Sequence, residues 1–258
     1  LRQRRGRLEL AESDLTDLAA AVDRADRGLI VCGPANEPTP DRESLAALAA
    51  TTGFPVLADP LSGHRFGAHV SDVAVCGGYD SYLDWVDWPE PELVVRFGES
   101  PTSKVLRKYL RDCGARQVLV DPAGAVREAE FTATDLLVAE PTAVADALAG
   151  SEIEPGDSAY RERFVEAESV YWERVRQACA STWFEGAVLE TVAESLPDPS
   201  TCFVSNSMPV RDLDRFGQPR AGAISVLGNR GVSGIDGIVS SGLGAGAAAD
   251  EPLVLVLG

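Results

Sequence analysis

Apolar and polar positions alternate in blocks along the chain. Residues 13–26 carry leucines and alanines at helical spacing behind Ser13, a suitable N-cap, and predict a helix. The run Gly28-Leu29-Ile30-Val31-Cys32-Gly33 predicts a buried strand ending in glycine. A helix over 41–52, capped by Asp41, and a strand from Phe54 to Ala58 follow. The same reading predicts strands over 93–98, 117–121 and 135–138, with a helix over about 102–112. Short continuous apolar runs that take turns with helical patterns indicate a parallel sheet covered by helices on both faces.

The pattern breaks near residue 150, where Ala149 to Asp157 is polar and rich in breakers. A long amphipathic helix is predicted over 158–180, through Phe164, Val165, Val170, Tyr171 and Val175. A second helix over about 183–196 leads into strands at 202–205 and 223–227, a helix at about 234–248 and an apolar strand at 253–257. The expected fold class is α/β. A Rossmann-like parallel sheet flanked by helices occupies 1–155, a helical linker 156–181, and a second, truncated α/β domain 182–258. The last strand is followed at once by Gly258, and no methionine opens the chain. The sequence therefore reads as a piece of a longer protein, cut within its second domain.

Candidate chemistry concentrates in two segments: Asn206-Ser207-Met208-Pro209-Val210-Arg211 and Asn229-Arg230-Gly231-Val232-Ser233-Gly234-Ile235-Asp236-Gly237. Each follows a strand and precedes a helix, and in parallel α/β sheets the carboxyl ends of strands form the ligand crevice. An arginine there suits a carboxylate or phosphate, because its planar fork makes two parallel bonds. It is equally the usual partner of a surface acid such as Asp212, Asp214 or Asp236. Asn206 and Ser207 serve as pocket donors or as helix caps, and Pro209 fits a first helical turn. The bracket Ser233-Gly234-Ile235-Asp236-Gly237 is a tight entry to a helix, whose backbone N–H groups suit an anion. Lys104 lies at another strand-to-helix junction and reads either as a site cation or as a solvated helix lysine. Gly242 to Ala247 matches G-x-G-x-x-A but falls inside a predicted helix, so a dinucleotide fingerprint is rejected. His64-Arg65, after the Ala58-to-Gly63 motif, is in reach of a ligand but is read in preference as an exposed loop.

These words resemble the 2-succinyl-5-enolpyruvyl-6-hydroxy-3-cyclohexene-1-carboxylate synthase family, the thiamine-diphosphate enzymes of menaquinone synthesis. Pro55-Val56-Leu57-Ala58-Asp59-Pro60-Leu61-Ser62-Gly63 and Gly98-Glu99-Ser100-Pro101-Thr102-Ser103-Lys104 resemble that family's central domain, in the same order. The resemblance implies a transferase that joins a unit derived from 2-oxoglutarate to isochorismate, with thiamine diphosphate and Mg²⁺ as cofactors. By resemblance Arg211, Arg230, Asn206, Ser207 and Lys104 meet the substrates. Ile235 supports the cofactor, with Ser233, Gly234, Asp236 and Gly237 around it. The resemblance further implies a homo-oligomer, a dimer or tetramer, with the cofactor site between subunits. The Mg²⁺ ligands and the activating glutamate would lie outside this chain, leaving it inactive alone. Two other readings stay open: a thiamine enzyme of the acetolactate synthase or 2-oxoacid decarboxylase type, and a non-catalytic nucleotide- or effector-binding module.

Charge narrows the partners. Acidic residues number 40 and basic ones 23, for a net −17, and only Lys104 and Lys108 are lysines. So acidic a surface opposes nucleic-acid binding and fits either a halophilic source or an acidic proteome from a GC-rich genome. No apolar run approaches the length of a membrane span, and the basic Leu1 to Arg7 lacks an apolar signal core. Five scattered cysteines without C-x-x-C spacing read as reduced, mostly buried thiols of a cytoplasmic protein. With two histidines, neither spaced to a cysteine, no metal site is expected.

Overall fold

In the computed structural model, residues 6, 8–36, 39–84, 88–231 and 234–258 are described. The basic segment Leu1 to Arg7 lies outside them, apart from Gly6. The first sheet holds β1 (Gly28–Cys32), β2 (Val56–Ala58), β3 (Val75–Cys76), β4 (Leu93–Phe97), β5 (Arg116–Val120) and β6 (Asp135–Leu137). All pair in parallel, in the order β3-β2-β1-β4-β5-β6. This is the doubly wound order, whose direction of winding switches between β1 and β4.

The strands β1, β2 and β4 are buried along their whole length, which is why β1 and β2 read as continuous apolar runs and β4 as one interrupted only by Arg96, whose guanidinium pairs with Gln117 and Glu128. On one face α1 (Glu12–Asp23), α2 (Arg42–Thr52) and α5 (Pro141–Ala149) set Leu18, Val22, Leu45, Leu48, Val144 and Leu148 against Ile30, Val95 and Val118. On the other, α3 (Tyr79–Tyr82), α4 (Lys104–Asp112) and the start of α6 (Ser158–Ser181) set Tyr79, Leu106, Leu110, Tyr160 and Phe164 against Leu29, Val31 and Val94. Asp41 and Ser103 cap α2 and α4 by accepting from Ser44 and Leu106 N–H. The pattern did not predict β3, α3 or α5. A two-residue strand and a four-residue helix are too short to carry a period, and β3 is defined by its register with Val56 and Leu57.

A second, three-stranded parallel sheet has the order β8-β7-β9, from β7 (Ser200–Val204), β8 (Ile224–Leu227) and β9 (Leu253–Val256). It carries α7 (Glu185–Ser195), α8 (Met208–Phe216) and α9 (Ile238–Ala248). The Gly242-to-Ala247 run lies within α9, where a Cβ at Gly242 would stand 2.9 Å from Leu255 Cδ1. Small residues there let the helix approach the sheet. The core of this sheet includes Leu61 and Phe66, which come from the loop after β2. That loop crosses from one sheet to the other, and Phe66 bridges Arg220. Among the described residues no helix is long and apolar enough to cross a membrane.

Candidate functional site

The strands β7 and β8 are parallel neighbours, so the segments that leave their carboxyl ends emerge side by side. Asn206 follows β7 and is buried; its Nδ2 donates to Gly234 O at 3.0 Å, tying the first motif to the second. Among the described residues its Oδ1, which is buried, has no hydrogen-bond partner. Ser207 stands at the N-cap of α8 with φ 72° and ψ −127°, and makes no side-chain capping bond. A non-glycine residue held in that conformation stores strain of about 1–3 kcal/mol. The capping role open to Ser207 is therefore not the one it plays. Arg211 is exposed, one turn into α8, and its Nε donates to Ser207 O at 2.9 Å. Among the described residues no carboxylate lies within ion-pair distance of it.

Arg230 follows β8 and lines two adjoining clefts. One, of about 370 Å³, runs between the carboxyl end of β8 and the switch point of the first sheet, past Asn36, Leu61, Glu99 and Phe203. The other, of about 360 Å³, is lined by Ser100 and Thr102 from the end of β4, Arg107 of α4 and Arg127 from the loop after β5. The switch point itself is closed. Gly33 N–H donates to Phe97 O at 2.8 Å, Glu99 N–H donates to Pro34 O at 2.9 Å, and a Cβ at Gly33 would fall 1.7 Å from Glu99 O. Backbone fills the crevice a dinucleotide would use, and the open space lies above it, between the two sheets.

Those of the remaining predicted residues that are described form an exposed rim. Ile235 is 71% exposed, so it is neither a core isoleucine nor covered by protein. Gly234 and Asp236 are exposed, and Gly237, φ 79°, leads into α9 with no side-chain cap on that helix. Ser233 lies outside the described residues. Lys104 is exposed at the first turn of α4 and lines neither cleft. For thiamine diphosphate the residues present fit in three respects: an orphaned acceptor in Asn206, an uncapped helix N-terminus at α9, and an uncovered apolar side chain in Ile235.

Sequence reasoning missed what stands behind this rim. Arg65, read as an exposed loop residue, is wholly buried, as is His64. The reason is that the loop after β2 passes between the sheets rather than over them. Arg65 donates from Nε to Ala58 O (2.7 Å), from Nη1 to Asp214 O (3.1 Å) and Gly217 O (3.0 Å), and from Nη2 to Tyr79 Oη (3.1 Å) and Asp214 Oδ1 (2.8 Å). Burial pushes the Asp214 carboxyl up to about 7, with Asp59 adding to the rise and Arg65 and Tyr79 opposing it. Asp59, also buried, accepts from Leu61 and Thr102 N–H, and burial raises its carboxyl against those bonds. Arg215 Nε donates to Asp80 Oδ2 at 2.6 Å, and Asp80 Oδ1 accepts from Ser103 Oγ at 2.5 Å. Glu168 of α6 accepts from Gly77 and Gly78 N–H, Tyr82 Oη and Trp172 Nε1. Asp59 and Arg65 were findable: a charged residue inside or beside an otherwise apolar motif needs a buried partner. The cysteines Cys32, Cys76 and Cys202 are buried thiols whose ionisation burial suppresses.

No family model matches the chain. Sequence relatives are informative. A 2-succinyl-5-enolpyruvyl-6-hydroxy-3-cyclohexene-1-carboxylate synthase of Haloarcula marismortui is 59% identical over 243 residues, 92% of this chain and 41% of that protein. One of Natronomonas pharaonis is 59% identical over 242 residues, 94% of this chain and 40% of that protein. A synthase of the same name from Roseiflexus castenholzii is 38% identical over 251 residues, 96% of this chain and 42% of that protein. Over the residues present, the chain belongs to this synthase family. It spans about two fifths of the length of the curated relatives it matches. The two arginine-bearing segments lie in the part of the family sequence that this chain shares.

Proposed function

We propose that the full-length protein is a transferase that decarboxylates 2-oxoglutarate and adds the four-carbon unit to isochorismate, in menaquinone biosynthesis. The observation that carries this reading is the Asn206–Gly234 bond, which draws the Arg211 and Arg230 segments together at the carboxyl ends of β7 and β8. Family membership supports it. When bound, thiamine diphosphate with Mg²⁺ supplies the electron sink that decarboxylation requires. The chain's own residues bind and orient. Arg211 and Arg230 offer guanidinium forks to substrate carboxylates, which suits two acidic substrates. Lys104 adds a cation from the first sheet. Asn206 Oδ1 accepts a hydrogen bond that the protein leaves unmade, and Ser207 presents its hydroxyl from a strained turn. Ile235 gives the cofactor an apolar support, while Gly234, Asp236 and Gly237 shape the entry to α9; Ser233 is assigned to the cofactor by family resemblance alone.

In this reading the metal ligands lie outside the chain, the chain alone is inactive, and the full-length protein is a cytoplasmic homo-oligomer. Its acidic, lysine-poor surface suits concentrated salt. The test is isochorismate consumption by the full-length protein with 2-oxoglutarate, thiamine diphosphate and Mg²⁺ in molar potassium chloride. Consumption that falls sharply in Arg211→Lys, with the rise in KM confined to a carboxylate substrate, is expected. Turnover of pyruvate with isochorismate untouched would replace this reading with the decarboxylase type.

A further inference from the structure

Arg65 lies beside the Pro55–Gly63 motif, and nothing in the proposed chemistry uses it. Its guanidinium is fully buried, and its bonds divide between the sheets, to Ala58, Gly77 and Tyr79 on the side of the first and to the end of α8 on the side of the other. Two go to the carbonyls of Asp214 and Gly217 at the helix's carboxyl end, and one to the Asp214 carboxylate. A helix ends with carbonyls that lack intrahelical donors and with negative partial charge, and a buried cation satisfies both. Tyr171 Oη adds a bond to Arg215 O at 2.6 Å, and Arg215 pairs with Asp80. The same loop reaches the second segment. Asp59 accepts from Thr102 N–H at 2.6 Å, just before the start of α4, where Lys104 stands. Leu61 and Phe66 anchor the loop in the core of the second sheet, and Gly67 N–H donates to Arg220 O at 3.1 Å.

We infer that Arg65 and Asp59 are positioning residues: one buried loop fixes both the helix that presents Arg211 and the turn that presents Lys104, so the two sheets meet the substrate in register. Neither residue touches substrate. The inference rests on the proposed role of Arg211. Lysine at position 65 keeps the charge but has no planar fork, so it cannot hold the Asp214 carboxylate and two carbonyls together. The register is lost while Arg211 itself is intact.

The experiment compares full-length wild type, Arg65→Lys, the milder Tyr79→Phe, Arg211→Lys and the distant core variant Val144→Ala. Steady-state kinetics with isochorismate and 2-oxoglutarate are read alongside hydrogen exchange of residues 207–216. Arg65→Lys is expected to raise the KM of a carboxylate substrate about tenfold with kcat within about threefold, and Tyr79→Phe about threefold, since each loses binding rather than chemistry. Exchange in α8 should accelerate in both. Val144→Ala, which only destabilises, should leave KM and α8 exchange unchanged. If Arg211→Lys raises KM and Arg65→Lys and Tyr79→Phe do not, the inference fails and the functional reading stands. If wild type consumes no isochorismate, the functional reading fails and with it the substrate role of the loop; unchanged α8 exchange in Arg65→Lys would remove the clamp as well.

Discussion

Arg65 and Arg211 meet opposite ends of the same nine-residue helix, and their surroundings are opposites. At the carboxyl end the Arg65 guanidinium has no solvent exposure, and carbonyls, a carboxylate and a phenol oxygen surround it. At the amino end Arg211 is exposed, bonds the carbonyl of Ser207 and meets no carboxylate among the described residues. A guanidinium saturated by protein holds the fold, whereas one left in reach of water can still take a ligand. Both kinds occur on one short helix, so the rigid end can set the position of the receptive end.

The largest test removes the saturated arginine. Arg65→Met leaves the buried Asp214 carboxylate and two carbonyls without their donor, and should cost about 3–5 kcal/mol, read from the denaturant midpoint of unfolding. A loss below about 1 kcal/mol would erase the contrast between the two ends.

Acid comes next, because the buried end holds titratable groups in both senses. Burial, with the charges of His69 and Arg42, pushes His64 down to about 3, against backbone contacts from Thr39 and Pro40. The unfolded chain then binds this proton more readily, so the stability that neutral His64 contributes is complete above about 6.5 and falls as pH drops towards 3. Asp214 runs the other way. Its folded value, about 7, lies above the unfolded one, so its contribution is present below about 4 and fades as pH rises through 7. In stability measured against pH, His64→Leu should flatten the acid limb by a few kcal/mol. Asp214→Asn should remove the decline through neutrality; if both variants keep the wild-type profile, these groups do not couple to folding.

Smaller again, Tyr79→Phe removes one hydroxyl from the hub and should cost about 1–2 kcal/mol in the same unfolding assay. Smallest are Arg211→Ala and Ile235→Ala. Both residues are exposed, and each should change stability by less than about 0.5 kcal/mol. A loss as large as that of Tyr79→Phe would mean the amino end is also structural.

Much of this was legible in the chain itself. Buried strands such as Leu29 to Cys32 and Val56 to Ala58 must be apolar on both faces, so they appear as unbroken runs. Asp41 announces a helix start because a short oxygen beside free N–H groups is a local affair. The arginine segments could be placed at strand ends from order alone. The identity of the partner that buries Arg65 could not, since Asp214 is 149 residues away in sequence. Nor could the two-residue β3, which exists by pairing with β2.

Local interactions fall within a few residues and leave a period or a cap in the sequence, and so the α/β class, the parallel sheets and the motifs at their carboxyl ends were fixed by sequence alone. Tertiary structure decided which arginine is consumed by the fold and which remains open, that the switch point of the first sheet is closed, and that the loop after β2 passes between the sheets. Those outcomes depend on desolvation and on partners brought together only when both sheets are packed, and no window of sequence contains them.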